Sequence, residues 1–259
     1  MSPREGWTGW DDYAPFYDWE NAQTLGRRDI AFWTRVAEKE HGRLLELGCG
    51  TGRLSLPLAR AGNVLVGIDR SEPMLHRARQ HALALRRRGA GRVTLLRGDI
   101  RLLPFAPASF GMVLAPYGML QSLLRDADLR ATLDSVARVI QPGGLFGVDL
   151  VPDVPRWREY DNRVQLRGPA GRGAHLTLVE SVRQKPRQRL TVFEQTYLVR
   201  RGRATSRHRF ELTFRTLSVR QMTRRLEHAG FVVEALLGDY RGRPWHKDAD
   251  AWIILARRT

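Results

Sequence analysis

The chain predicts an α/β fold: a doubly wound parallel sheet, interrupted late in the sequence by an antiparallel β meander. Three observations carry that reading. From Leu44 to Leu150, strand-length apolar runs alternate with helical stretches, the pattern of parallel strands joined by helical crossovers. The first strand, Leu44-Leu45-Glu46-Leu47, runs into a loop with glycine at every second position, Gly48, Gly50 and Gly52. From about Arg163 to Leu217 the period switches to two, with turns near Gly168-Pro169-Ala170-Gly171, Lys185-Pro186 and Arg201-Gly202.

In chain order, residues 1–42 read as an N-terminal helical cap, with the aromatic stretch Trp10-Asp11-Asp12-Tyr13-Ala14-Pro15-Phe16-Tyr17-Asp18 and an amphipathic segment from Asp29 to Glu40. The core is expected over 43–152 and 218–259, with the meander inserted over 153–217. Strand 44–47 leads to a helix near 52–61 and then to strand Val64 to Asp69. Ser71 caps the next helix, with Pro73 in its first turn, and this helix runs to about Arg88. Strand Val93 to Arg97 ends at Gly98-Asp99-Ile100, and strand Phe110 to Leu114 precedes a helix over 126–140. Pro142-Gly143-Gly144 is expected to stop that helix and turn into strand Leu145 to Leu150. After the insert, Ser218 caps a helix to Ala229, Gly230 ends it, and strands Phe231 to Leu237 and Ala251 to Ala256 close the chain.

Composition bounds the partners. The 259 residues are 42% hydrophobic and 27% charged, ordinary for a soluble globular chain. No apolar run is long enough to span a bilayer and the N-terminus has no signal-peptide core, so a cytoplasmic protein with no membrane partner is expected. Cys49, the single cysteine, forms no internal disulfide, which fits a reducing compartment. The net charge of +16 is the unusual property. Lys39, Lys185 and Lys247 are the only lysines among 43 basic residues, a ratio that reflects coding bias toward arginine as readily as a basic interface. No aromatic-plus-basic RNA-binding motif accompanies the charge, so nucleic acid is not the favoured partner.

The glycine loop narrows the ligand. Positive φ at its glycines lets a ligand approach bare backbone, and the following helix aims free N–H groups at it. Dinucleotide folds space their glycines G-x-G-x-x-G and phosphate loops end in G-K-[ST]; here the spacing is Gly-x-Gly-x-Gly, with no lysine nearby. Glu46, two residues before Gly48, repels a pyrophosphate and attracts an ammonium or sulfonium group. Asp69 lies 21 residues beyond Gly48, at the end of the second strand, where a carboxylate accepts ribose hydroxyls.

Leu45-Glu46-Leu47-Gly48-Cys49-Gly50-Thr51-Gly52 closely resembles the first motif of class I S-adenosylmethionine-dependent methyltransferases. The segment from Trp10 to Asp18 is similar to their Tyr-Asp-x-x-Ala-x-x-Tyr-Asp pattern, with tryptophan first. The resemblance implies a Rossmann-like seven-stranded sheet with a terminal antiparallel hairpin, and it covers nearly the whole chain outside the insert. It implies S-adenosylmethionine as cofactor, with S-adenosylhomocysteine as product. Site residues follow from it: Glu46, Gly48, Cys49 and Gly50 in the loop; Asp69, Arg70 and Met74 after the second strand; Asp99 for the adenine amino group, Ile100 against the ring, and Ala115 at the fourth strand's end. Tyr17 takes the methionine carboxylate. Cys49 reads as a packing residue, not a nucleophile, and no metal ligand set is expected.

The segment Leu114-Ala115-Pro116-Tyr117-Gly118 lies beside the transferring methyl in this fold. Methyltransferases acting on nucleic-acid amines have Asn/Asp-Pro-Pro-Tyr here, and Ala115 has no carbonyl to accept amine hydrogens. The stretch looks more like that of small-molecule enzymes, with Tyr117 and Gln121 walling the acceptor pocket. His175, His208 and His246 are placed to approach it, His208 being the weak candidate for a catalytic base, and Trp157 and Tyr160 are possible pocket walls. The reading is in-line methyl transfer to a nitrogen or oxygen of a small molecule. The alternatives are an RNA or polyanion methyltransferase using the insert arginines, or a cofactor-binding assembly module without catalysis. The insert serves as a lid, or pairs two subunits through an exposed strand edge.

Overall fold

The computed structural model describes residues 9–24, 28–86, 92–150, 159–171, 173–249 and 251–259. Helices α1 (Trp10–Thr24) and α2 (Arg28–Ala37) precede strand β1 (Leu44–Leu47). Then come α3 (Ser55–Arg60), β2 (Leu65–Asp69), α4 (Glu72–Arg86), β3 (Val93–Arg97), β4 (Phe110–Ala115), α5 (Asp126–Val139) and β5 (Ile140–Leu150). The insert supplies β6 (Tyr160–Pro169), β7 (Ala174–Lys185), β8 (Leu190–Arg201) and β9 (Ala204–Arg215); α6 (Val219–His228), β10 (Phe231–Leu237) and β11 (Trp252–Arg258) end the chain.

The seven-stranded sheet runs β10-β11-β5-β4-β1-β2-β3. β1 pairs in parallel with β2 and β4, and β11 pairs antiparallel with both β5 and β10. Every residue of β1 is buried, because helices cover both faces of a parallel sheet. Successive side chains go to opposite sides: Leu45 and Leu47 join Leu133 of α5 and Met222 of α6, and Leu44 joins Trp33 of α2 and Leu58 of α3. Thus α2 packs under the sheet, and among the described N-terminal residues Gly9 and α1 reach the cavity side. α6 begins with a reciprocal cap, Ser218 Oγ accepting from the Gln221 N–H at 3.2 Å and Gln221 Oε1 accepting from the Ser218 N–H at 3.1 Å.

Element ends shift from the sequence reading by up to about three residues, and at β5 by more. β5 starts at Ile140, not Leu145, since Ile140 pairs with Phe110 and Leu145 with Met112. Gln141 to Gly144 bulge opposite Gly111 instead of forming a separate turn.

The insert is a four-stranded antiparallel sheet in the order β6-β7-β8-β9. Its apolar face, with Leu178, Tyr197 and Leu212, packs on Tyr13 and Phe16 of α1. α1 is therefore a shared wall between insert and core. Trp157 lies outside the described residues. No described helix is long and apolar enough to cross a membrane.

Candidate active site

The loop after β1 makes its turn with Gly48 at φ +64° and Gly50 at φ +52°. A Cβ on Gly48 would lie 2.6 Å from Met119 Cγ, so the position is closed to side chains on steric as well as conformational grounds. The Gly50 N–H donates to Asp69 Oδ2 at 2.7 Å, and the Ser71 N–H donates to Oδ1 at 2.8 Å. These bonds fix the carboxylate at the mouth of β2. Burial raises the Asp69 pKa, and the same two amides oppose the shift.

Around this loop is a cavity of about 620 Å³, into which the ends of β1, β2 and β3 each deliver one carboxylate. Glu46 is buried, accepts from the Ser55 hydroxyl, and is pushed up to about 8 by its desolvation. Asp99 is half-exposed; the Arg101 guanidinium, with Nη2 at 2.6 Å, holds it below the usual carboxylate range. Gly48, Cys49, Gly50, Arg70, Met74 and Ile100 complete the expected floor and sides, and Tyr17 reaches over from α1. Burial pushes the Cys49 thiol up, which suits a packing role and not a nucleophile. Ala115 is a correction: it is fully buried in the core on the α5 and α6 side of the sheet and lines neither described cavity. The last side chain of β4 alternates away from the cavity, and the chain enters the wall only at Pro116 and Tyr117.

A second cavity of about 470 Å³ lies between α1, the insert sheet and the end of β5. It shares Trp10, Tyr17, Tyr117 and Phe214 with the first, so the two chambers meet at these rings. Tyr117 sits at φ +59°, an uncommon conformation for a bulky residue and one concentrated at functional sites. Gln121 is buried in the second chamber and donates to the Arg215 carbonyl at 3.3 Å; Tyr160 is also on its wall.

His208 is the second correction. It shares the inward face of β9 with Phe210 and Leu212, but lies toward the strand's outer end, exposed and against Phe16 with ring centres 5.1 Å apart. Neither His208, His175 nor His246 lines either chamber. Of the insert arginines, Arg187, Arg189, Arg200, Arg201, Arg203, Arg207 and Arg209 are exposed, and none is on a cavity wall.

The structure adds residues that the sequence reading passed over. Arg53, directly after the third loop glycine, lines the first chamber, donates to Asp29 Oδ1 at 3.1 Å, and stands 5.5 Å from the Tyr117 ring centre. Its place beside the motif was a usable signal. Asp149 is buried on the second chamber's wall, accepting from the Gly118 N–H at 3.1 Å, the Tyr240 hydroxyl at 3.0 Å and Trp33 Nε1 at 3.3 Å. Burial pushes it up to about 6. Its signal was a lone carboxylate in a strand otherwise buried on both faces. Glu20 and Glu180 complete an acidic second chamber, whose described wall residues include no lysine or arginine.

Residues 44–144 match the family described as "Methyltransferase domain". A demethylmenaquinone methyltransferase from Paenarthrobacter aurescens is 32% identical over 201 residues, covering 72% of this chain and 74% of its own. The cypemycin N-terminal methyltransferase of a Streptomyces species is 25% identical over 243 residues, 93% of this chain and 94% of its own. The CcbJ methyltransferase from Streptomyces caelestis superposes with a TM-score of 0.80 at 21% identity, over 97% of this chain and 98% of that one. The glycine cradle, the anchored Asp69 and the carboxylates at three strand ends fit the cofactor of these enzymes. The chain belongs to the class I S-adenosylmethionine-dependent methyltransferases.

Proposed function

We propose that the protein methylates the nitrogen of an amine-bearing small molecule. One observation carries this reading. In a chain of net charge +16, the acceptor chamber holds Asp149, Glu20 and Glu180 and no described basic residue. A phenolate or carboxylate acceptor would be repelled there, whereas an ammonium is drawn in and held. The chamber volume suits a small ligand, not a polymer. The name of the relative aligned over nearly the whole chain, an N-terminal methyltransferase, supports nitrogen as well.

In the first chamber, Asp69 would hold the ribose hydroxyls, Asp99 and Ile100 the adenine, and Glu46 the methionine ammonium. Tyr17 and Arg53 would take the methionine carboxylate. Bound there, S-adenosylmethionine supplies a methyl group on a sulfonium, already a good leaving group. The protein's own share is positioning and electrostatics. Tyr17 and Tyr117 frame the junction of the two chambers and exclude water from it. Asp149 is fixed by three donors and ionised at neutral pH. The bound ammonium must first release a proton to solvent to free its lone pair; positive charge then moves from sulfur to nitrogen during transfer, so a fixed carboxylate on the nitrogen side stabilises the transition state more than the neutral-amine ground state.

The test is a turnover screen with S-adenosylmethionine over amines, phenols and carboxylic acids of matched size, with products read by mass spectrometry. N-methylated products from the amines alone are expected. Methyl transfer to phenols or carboxylates in preference to amines would overturn the nitrogen reading.

A further inference from the structure

We infer that the acceptor carries a second ammonium group, bound by Glu20, Glu180 and Gln195 on the insert side of the chamber; the inference rests on the amine reading above. Glu180 of β7 and Gln195 of β8 are a directly opposed cross-strand pair, 8% and 3% exposed. Gln195 Nε2 donates to Glu180 Oε2 at 2.8 Å and lies 3.4 Å from Glu20 Oε1 of α1. One amide nitrogen thus draws two carboxylates together. Their other donors are neutral hydroxyls, Tyr13 and Tyr197 on Glu20 and Tyr160 on Glu180. Among the described residues neither carboxylate makes an ion pair.

An acidic cluster alone can be structural. Here a separate observation points to a ligand: Gln195 Oε1 is buried beside the cavity with no hydrogen-bond partner. The amide orientation is settled, because the opposite one would aim an oxygen at two carboxylates. Two like charges and an orphan acceptor, supplied only by neutral donors, form a costly arrangement in a low-dielectric site. The group that resolves it is positively charged and has several N–H donors. An ammonium brings three, one for each of Glu20, Glu180 and Gln195 Oε1. A hydroxyl brings one and no charge. The amine that receives the methyl must sit where the chambers meet, at Tyr17 and Tyr117, which line both; Glu20, Glu180 and Gln195 line the second chamber and not the first, so the cluster takes a different group of the same molecule. The substrate class is therefore a diamine, or a ring bearing two amino groups.

The experiment measures binding of α,ω-diaminoalkanes with three to six carbons, and of monoamines of equal length, to the full-length protein loaded with S-adenosylhomocysteine. The best diamine is expected to bind at least about tenfold tighter than its monoamine. That preference is expected to fall to about threefold or less in Glu180→Gln and in Gln195→Leu, with S-adenosylhomocysteine affinity retained as the folding control. Equal binding of diamines and monoamines, or a preference that survives both substitutions, overturns the second-ammonium site. Product analysis with S-adenosylmethionine on the same panel separates the two readings. A diamine that binds in preference but gains no methyl overturns nitrogen methylation alone, and monoamines methylated with KM equal to that of diamines overturn the second site alone.

Discussion

Cofactor binding is predicted to expel a proton from Glu46. The carboxyl is desolvated beneath the glycine loop, with Asp69 and Asp29 adding like charge, and its pKa stands at about 8 despite the Ser55 hydroxyl and the Arg53 charge. At pH 7 roughly nine-tenths of the free protein therefore carries Glu46 protonated. Placing the methionine ammonium against it favours the ionised form, so binding releases about 0.9 proton. The free cofactor's own amine, with an ordinary pKa near 8, takes up about 0.1 proton as it binds charged. Net release is about 0.8 proton at pH 7. The same displacement costs about 1.4 kcal/mol at pH 7 and about as much again for each unit lower, so affinity rises about tenfold per unit between pH 6 and 7. Calorimetric titration of S-adenosylhomocysteine in buffers of different ionisation enthalpy measures the release directly. Glu46→Gln should bring it close to zero and flatten the pH dependence. Wild-type binding without proton release, and with affinity level from pH 6 to 7.5, would refute the reasoning.

Two further predictions follow from the same geometry. Asp69→Ala removes the proposed ribose acceptor and releases the Gly50 and Ser71 amides, so S-adenosylhomocysteine affinity should fall about 10- to 100-fold, the worth of one or more charged hydrogen bonds; calorimetry within threefold of wild type would remove Asp69 from the ribose site. Gly111→Ala should destabilise the fold by about 3 kcal/mol or more, because the added Cβ would stand 1.8 Å from the His41 carbonyl oxygen, and backbone cannot swing aside as a side chain can; urea unfolding measures it, and a loss under about 1 kcal/mol would contradict the contact.

The parallel half of the fold was legible because its inner strands are buried on both faces and so appear as unbroken apolar runs, as in Leu65 to Ile68 and Phe110 to Ala115. The start of β5 was not. Pro142-Gly143-Gly144 has the composition of a turn, and local chemistry alone makes it one; pairing of Ile140 with Phe110 holds the chain in the sheet on both sides of the bulge. The cofactor half of the site was legible for a related reason. Glu46 and Asp69 lie at the carboxyl ends of β1 and β2, and Asp99 just past that of β3, so parallel topology brings them together without any detail of packing. Tyr117 and Gln121 line the second chamber, being within a few residues of such an end. His208 misled because period-two alternation gives the face of a strand and not how far along it the cover extends: Phe16 packs on both Phe210 and His208, but at His208 the cover ends and the residue is exposed.

The acceptor chamber shows what bulk charge hides. Its carboxylates and Gln195 come from α1, β5, β7 and β8, segments brought together by the docking of the insert on α1. Within β7 the inward set Leu176, Leu178, Glu180, Val182 carries one carboxylate among apolar residues, and its opposite number on β8 is Gln195. That interruption was a signal in the sequence, since a charge on a buried strand face needs a partner. The net charge of +16 pointed the other way, toward anions. Surface arginines act on a ligand over about 8 Å at physiological salt before ions screen them, whereas carboxylates enclosed with the ligand are hardly screened. Exposed arginines at the outer end of the insert and carboxylates at its inner face thus do not cancel: the first set affects encounter, and the second sets affinity. On the proposed amine reading, the sign of the chamber, opposite to that of the chain, selects the acceptor.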